Sequence, residues 1–204
     1  MHQCDRCAVL SCDKNLERYP ENCPMNDEAF FEEIFSKYME EENRDFYINS
    51  SKTEAVGYGK WARLREVVEF CKSMNYKKIG LAFCKGLHKE ARVVADVLRS
   101  HDFEVLSVIC KTGGIPKERV GISKEHKICP EEFEPMCNPI AQAEIFNRNN
   151  TDFNVAVGLC VGHDSLFFKN SKALATTLVT KDRVLAHNPV GAIYCAETYY
   201  KNKL

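Results

Sequence analysis

The chain has 204 residues, enough for one α/β domain with a proper core and a small appendage. Its 28 basic and 29 acidic residues nearly balance, with no basic stripe and no long like-charge block, which argues against a nucleic-acid partner and against a solvating tail. The longest apolar runs are strand-length, short of the ~18 residues that a membrane helix needs, and Met1-His2-Gln3-Cys4 lacks the charged and apolar regions of a signal peptide, so a cytoplasmic location with no membrane partner is expected.

The 11 cysteines set the problem. A reducing compartment disfavours structural disulfides, and an odd count fits a disulfide framework poorly, so a dense set reads first as metal ligands or catalytic thiols. Residues 1–25 carry the first group, Cys4-x2-Cys7-x4-Cys12-x10-Cys23-Pro24. Val9, Leu10 and Leu16 are the only large aliphatics there, too few for a core, so a metal staple is expected. Four thiolates in so short a stretch suit either zinc or an iron–sulfur cluster.

Residues 26–204 are expected to form the main domain, with two leading helices. Residues 27–45 read as a helix capped by Asn26 or Asp27, with Phe31, Ile34, Phe35 and Tyr38 as a core-facing stripe. Residues 48–59 read as a connector. A second helix from Trp61 has Trp61, Leu64, Val68 and Cys71 on one face, which makes Cys71 a core thiol. Lys77 to Phe83 is a strand ending on Cys84. Leu87, Ala91, Val94 and Leu98 follow at helical spacing, and Phe103 to Ile109 is a strand ending on Cys110. This is a βαβ unit with parallel strands. A long polar loop then runs to Met136, and a loop longer than ~12–15 residues is often functional. Asn138 and Pro139 supply a cap and a first helical residue, so a helix is expected from Pro139 to about Asn149, with Cys137 just ahead of it.

Val155 to Leu159 is a buried strand ending on Cys160, followed by a turn at Gly162 and helix-opening residues His163-Asp164-Ser165, of which Asp164 or Ser165 is the expected cap. Leu174 to Thr180 is the fourth strand. Lys181-Asp182 is expected to turn it into a short antiparallel strand, Val184 to Ala186. His187-Asn188-Pro189 opens a last helix carrying Val190, Ile193, Tyr194 and Glu197, with Cys195 packed against the body.

These elements predict a doubly wound, mostly parallel Rossmann-like sheet in the order second-first-third-fourth. Cys84, Cys110 and Cys160 then lie at one carboxyl edge, and the crossover brings Cys137 to the same side. Cys129, in the long loop, is an alternative to Cys137 or a fifth ligand. Lys111, His163, Asp164 and His187 are the polar groups expected around the pocket. His163 and His187 suit hydrogen bonding to sulfur or acid–base work beside a substrate. Lys111-Thr112-Gly113-Gly114 suits an anion nest, without matching a phosphate-loop pattern.

The N-terminal cysteine pattern together with KKIGLAFCKGLHKEA, CNPIAQAE, VGLCVGHDSLF and TTLVTKDRVLAHNP resembles a family of cysteine-rich proteins of unknown function, labelled predicted metal-binding and found mainly in anaerobic bacteria and archaea. The resemblance implies metal at Cys4, Cys7, Cys12, Cys23, Cys84, Cys110, Cys137 and Cys160, and no particular reaction. An anaerobic source favours iron–sulfur clusters over zinc. The expectation is an iron–sulfur protein with an N-terminal and a core cluster, zinc being the alternative at the N-terminal site. It would serve electron transfer or a reductive reaction, with a redox protein or a small molecule as partner. The rival expectations are a zinc-stapled ligand-binding or regulatory module without turnover, and a thiol enzyme with Cys160 as nucleophile.

Overall fold

A computed structural model describes residues 1–14 and 18–204, which leaves Leu16 outside the described residues. The chain divides into two compact units, Met1–Val56 and Gly57–Leu204.

The first unit is helical. It contains the short α1 (Ser11–Lys14), then α2 (Glu28–Tyr38) and α3 (Glu41–Gly57), whose last residue opens the second unit. Asp27 caps α2, its carboxylate accepting the Phe30 N–H at 3.1 Å. Two expectations fail here. The stripe on α2 is not core: Phe31, Phe35 and Tyr38 are 36%, 59% and 47% exposed, and Tyr38 meets the exposed Tyr47 of α3 edge to face at 5.2 Å. Nor do residues 48–59 form a connector, since α3 runs on to Gly57. Its polar residues are absorbed by the helix itself, Ser50 and Thr53 each bonding the carbonyl one turn back at 2.9 Å.

The second unit holds α4 (Arg63–Ser73), β1 (Lys78–Phe83), α5 (His88–Arg99), β2 (Glu104–Ile109), α6 (Pro139–Arg148), β3 (Phe153–Val157), α7 (His163–Asn170), β4 (Ala175–Val179) and α8 (Val190–Tyr194). The four strands form one all-parallel sheet in the order β2-β1-β3-β4, flanked by helices, as a Rossmann-like fold requires. β1 and β3 are central and covered on both sides, which is why they read as unbroken apolar runs. Ile79, Leu81 and Phe83 share a face with Phe153, Val155 and Val157. That face meets α4 through Phe70 on Phe153 (5.6 Å) and α5 through His88 on Phe83 (5.8 Å). The other face, with Ala82, Val108 and Ala156, packs on Ala143 and Phe146 of α6 and Phe167 of α7. Gly80 is needed there: a Cβ would strike the Phe146 ring and the Asn154 side chain. The Asp152 carboxylate accepts the Lys77 and Lys78 N–H groups at 2.7 and 2.8 Å, which fixes where β1 begins beside β3.

Cys71 is fully buried on α4, and burial, then the Asp152 charge, pushes its thiol up to about 12. The antiparallel strand expected at Val184–Ala186 is a turn instead. The Asp182 carboxylate captures the Val184 and Leu185 N–H groups at 2.9 Å each, and Ala186 and His187 adopt φ of 49° and 64°, incompatible with a strand. The last helix is short and gives way to turns before Glu197, and Cys195 is half-buried at its end. Asp164 and Ser165 do not cap α7. The helix starts one residue earlier, at His163, and the Asp164 carboxylate accepts the Ser165 N–H from within the first turn.

Candidate metal centre

Three strand ends build the site. The Cys84 N–H bonds the Val157 carbonyl at 3.1 Å and the Cys110 N–H bonds the Phe83 carbonyl at 2.8 Å, so both cysteines extend the backbone pairing of their strands. After β3 the chain must bend at Gly158, which has φ of 62° and lies over Leu87, where a Cβ would collide with the leucine side chain. Leu159 and Cys160 follow directly. Cys137 arrives from the long loop because the Asn138 N–H bonds the Cys110 carbonyl at 2.7 Å. The Asn138 side chain then accepts the Ala141 N–H at 3.2 Å and starts α6. Local cap chemistry and one backbone bond thus set a distant cysteine beside the strand ends.

Cys84, Cys110, Cys137 and Cys160 line one cup, with Gln142 and His163 on its wall. The thiols of Cys84 and Cys137 both neighbour that of Cys110. These contacts push the Cys84 and Cys137 thiols down and the Cys110 thiol up. Cations and N–H groups serve the sulfurs in turn. The Lys85 backbone N–H donates to Cys110 Sγ at 3.3 Å, Lys181 Nζ to Cys84 Sγ at 3.3 Å and the Arg183 guanidinium to Cys160 Sγ at 3.0 Å. Lys111 lies beside Cys137, lowers its thiol further, and donates to the Pro135 carbonyl at 2.6 Å.

Gln142 is fully buried. Its amide nitrogen donates to the Phe83 and Val108 carbonyls at 3.3 and 2.7 Å, tying β1 to β2 just below their cysteines. Its amide oxygen has no partner among the described residues. An orphan buried acceptor is unfavourable unless a cation or a proton donor comes within its reach.

Of the expected pocket residues, Lys111 and His163 line the cavity that opens from the cup. Asp164 and His187 do not; the His187 ring accepts the Asp182 N–H at 3.1 Å instead. Cys129 is exposed and off the cavity wall, its N–H spent on the Glu134 carboxylate at 3.2 Å. Lys181, Arg183 and Gln142 were not anticipated. The available signal for the first two was their place just past β4, on the same edge as the cysteines.

In the first unit Cys4 and Cys12 are exposed and Cys7 and Cys23 half-buried. Cys7 Sγ accepts the Leu10 N–H at 3.5 Å, and His2 meets the Asn22 carbonyl at 2.9 Å, which draws the two ends of the segment together. Among the described residues, no three His, Cys, Asp or Glu side chains in either unit stand in the arrangement of a metal ion's ligands.

The family model described as Protein of unknown function (DUF1847) matches residues 23–178, a span that includes all four sheet-edge cysteines. The chain belongs to this family. It is also similar to the Uncharacterized protein MJ0455 of Methanocaldococcus jannaschii, 49% identical over 193 residues and 95% of each chain. No solved structure matches. A DUF1847 family with an archaeal relative agrees with the resemblance that the sequence motifs carry. Among the described residues no helix is long and apolar enough to cross a membrane.

Proposed function

We propose that this DUF1847 protein is a soft-metal protein in which Cys84, Cys110, Cys137 and Cys160 hold an iron–sulfur cluster. Cys4, Cys7, Cys12 and Cys23 hold a second centre, iron–sulfur or zinc. The observation that carries this reading is that four cysteines from four separated segments line one cup at the carboxyl edge of the sheet.

The donor set fits the group. Thiolates are the ligands that iron–sulfur clusters use, and four cysteines line the cup. A bound cluster would supply one-electron redox chemistry. The chain's own residues tune such a site. Lys181, Arg183 and Lys111 neutralise thiolate charge, and the Lys85 N–H withdraws density from Cys110 Sγ. All four influences favour the reduced, more negative state. His163 sits where a proton could be exchanged beside the sulfurs.

One observation favours a rival. The cup lined by Cys84, Cys110, Cys137 and Cys160 is small, and four cysteine sulfurs are also the donor set of a structural zinc ion. That protein would be a zinc-stapled module without turnover. Iron, zinc and acid-labile sulfide, measured with an absorption spectrum on protein purified without oxygen, decide between them. Iron and sulfide with a brown colour are expected. Colourless zinc protein without sulfide overturns the cluster.

A further inference from the structure

Above the cup lies a cavity of about 400 Å³, within the roughly 300–1,000 Å³ range of small-molecule sites. Its wall has two kinds of surface. Ile122, Ile128, Met136, Ile140 and Leu166 make an apolar side. The cations Lys85, Lys111 and Arg183 stand near the cysteines, and none of the three has a carboxylate within ion-pair distance among the described residues.

Glu134 is the one carboxylate on this wall, among the described residues, and it is already engaged. It pairs with Lys117 at 2.6 Å and accepts the Ile128 and Cys129 N–H groups at 2.8 and 3.2 Å. The first turns of α6 and α7 also reach the cavity through Ile140 and His163, so two positive helix ends face it. Arg183 serves a sulfur, but Lys111 spends its ammonium on a neutral carbonyl as well as on Cys137, and Lys85 offers the sulfurs its backbone alone. A space that is apolar on one side and cationic on the other recognises an amphiphilic anion.

We propose that this cavity binds a small organic carboxylate, its anionic head held by Lys85 and Lys111 near the cysteines and its apolar body against Ile122, Met136, Ile140 and Leu166. The inference goes beyond the metal reading and stands whichever metal the cysteines hold.

Naphthalene-2-acetate and its neutral isostere naphthalene-2-acetamide serve as probes in calorimetric titrations of the full-length, metal-loaded protein. One equivalent of the carboxylate is expected to bind, at least about tenfold more tightly than the amide. A double variant, Lys85→Gln with Lys111→Gln, should erase that preference, bringing the carboxylate down to the affinity of the amide. Ile140→Trp, which fills the apolar side, should weaken both probes. Binding of neither probe, equal binding of both, or an undiminished preference in the lysine variant overturns the proposal, and the lysine variant stands as a test even if Ile140→Trp fails to fold. Metal and sulfide content of the same samples keeps the two readings apart. Carboxylate binding to colourless zinc protein defeats the cluster alone, and a brown protein blind to the probes defeats the cavity alone.

Discussion

The two cysteine groups are built in opposite ways. At the sheet edge Cys84 and Cys110 are buried, and each is placed by backbone pairing to a neighbouring central strand. In the first unit the four cysteines are exposed or half-buried, in or beside short helical turns with no strand beneath them among the described residues, and of Val9, Leu10 and Leu16 the first two are exposed and the third is not described. The sheet therefore places its thiols by backbone pairing, whereas on the proposed metal reading the N-terminal segment would take its shape from its metal. Preorganised sulfurs suit a centre that works, and sulfurs gathered by their metal suit a staple.

The largest expected effect tests the independence of the two groups. Deleting residues 1–24 should leave a folded protein that keeps its sheet-edge metal. Cys160→Ser should do the reverse, losing or altering that metal while the N-terminal group stays loaded, because serine nearly matches cysteine in shape but is a harder, far less acidic ligand. Equal metal loss from both variants, read by elemental analysis, would mean that the two groups form one site or assemble only together.

A smaller effect separates backbone placement from metal binding. Gly158→Ala forces a side chain into a left-handed position against Leu87 and should cost about 2–4 kcal/mol in urea unfolding of the second unit. Its sheet-edge metal should become labile while the N-terminal metal is unaffected. An unchanged midpoint would deny Gly158 its part in positioning Cys160.

Gln142→Leu removes two buried hydrogen bonds between α6 and the strand ends, and about 1–2 kcal/mol of stability should go with them. The sulfurs should still take up metal. A variant as stable as the parent would show that the amide is not what ties β1 to β2.

The smallest effect lies in the loop. Lys117 first, then the Ile128 and Cys129 N–H groups, hold the Glu134 carboxyl at about 2 instead of its ordinary 4.5. A depressed carboxyl stabilises the folded loop fully above its unfolded value, and the contribution is lost as pH falls from about 4.5 through about 2. The Ile128 and Cys129 amide resonances should titrate with a midpoint near the lower value. A midpoint near 4.5 would remove the ion pair from the account.

Much of the sheet was legible because its signals are local or strongly periodic. β1 and β3 are continuous apolar runs, Leu87, Ala91, Val94 and Leu98 mark a helix stripe, and all four of those residues are buried. Asn138-Pro139 announces its helix through chemistry that needs no distant partner. What failed depended on partners. The α2 stripe tells which side is apolar but not whether anything covers it, and Phe35 stays 59% exposed. The polar run in α3 looked like loop because its hydroxyls bond within their own helix. Val184 to Ala186 looked like strand until Asp182 took its N–H groups. Lys181 and Arg183 read as ordinary solvated charges, since only the closed sheet brings them to Cys84 and Cys160.

The bond from the Asn138 N–H to the Cys110 carbonyl has a further consequence. It closes the long loop at its base, so the position of Cys137 is decided there and not by the chain in between. The entropy of closing a loop grows only logarithmically, about 0.6 kcal/mol for each doubling of length. Insertions and deletions among residues 117–134 are therefore cheap, and Val120, Ile122 and Ile128 on the cavity wall belong to that stretch. The wall of this cavity can therefore be rebuilt by editing one segment while the four sulfurs stay where they are.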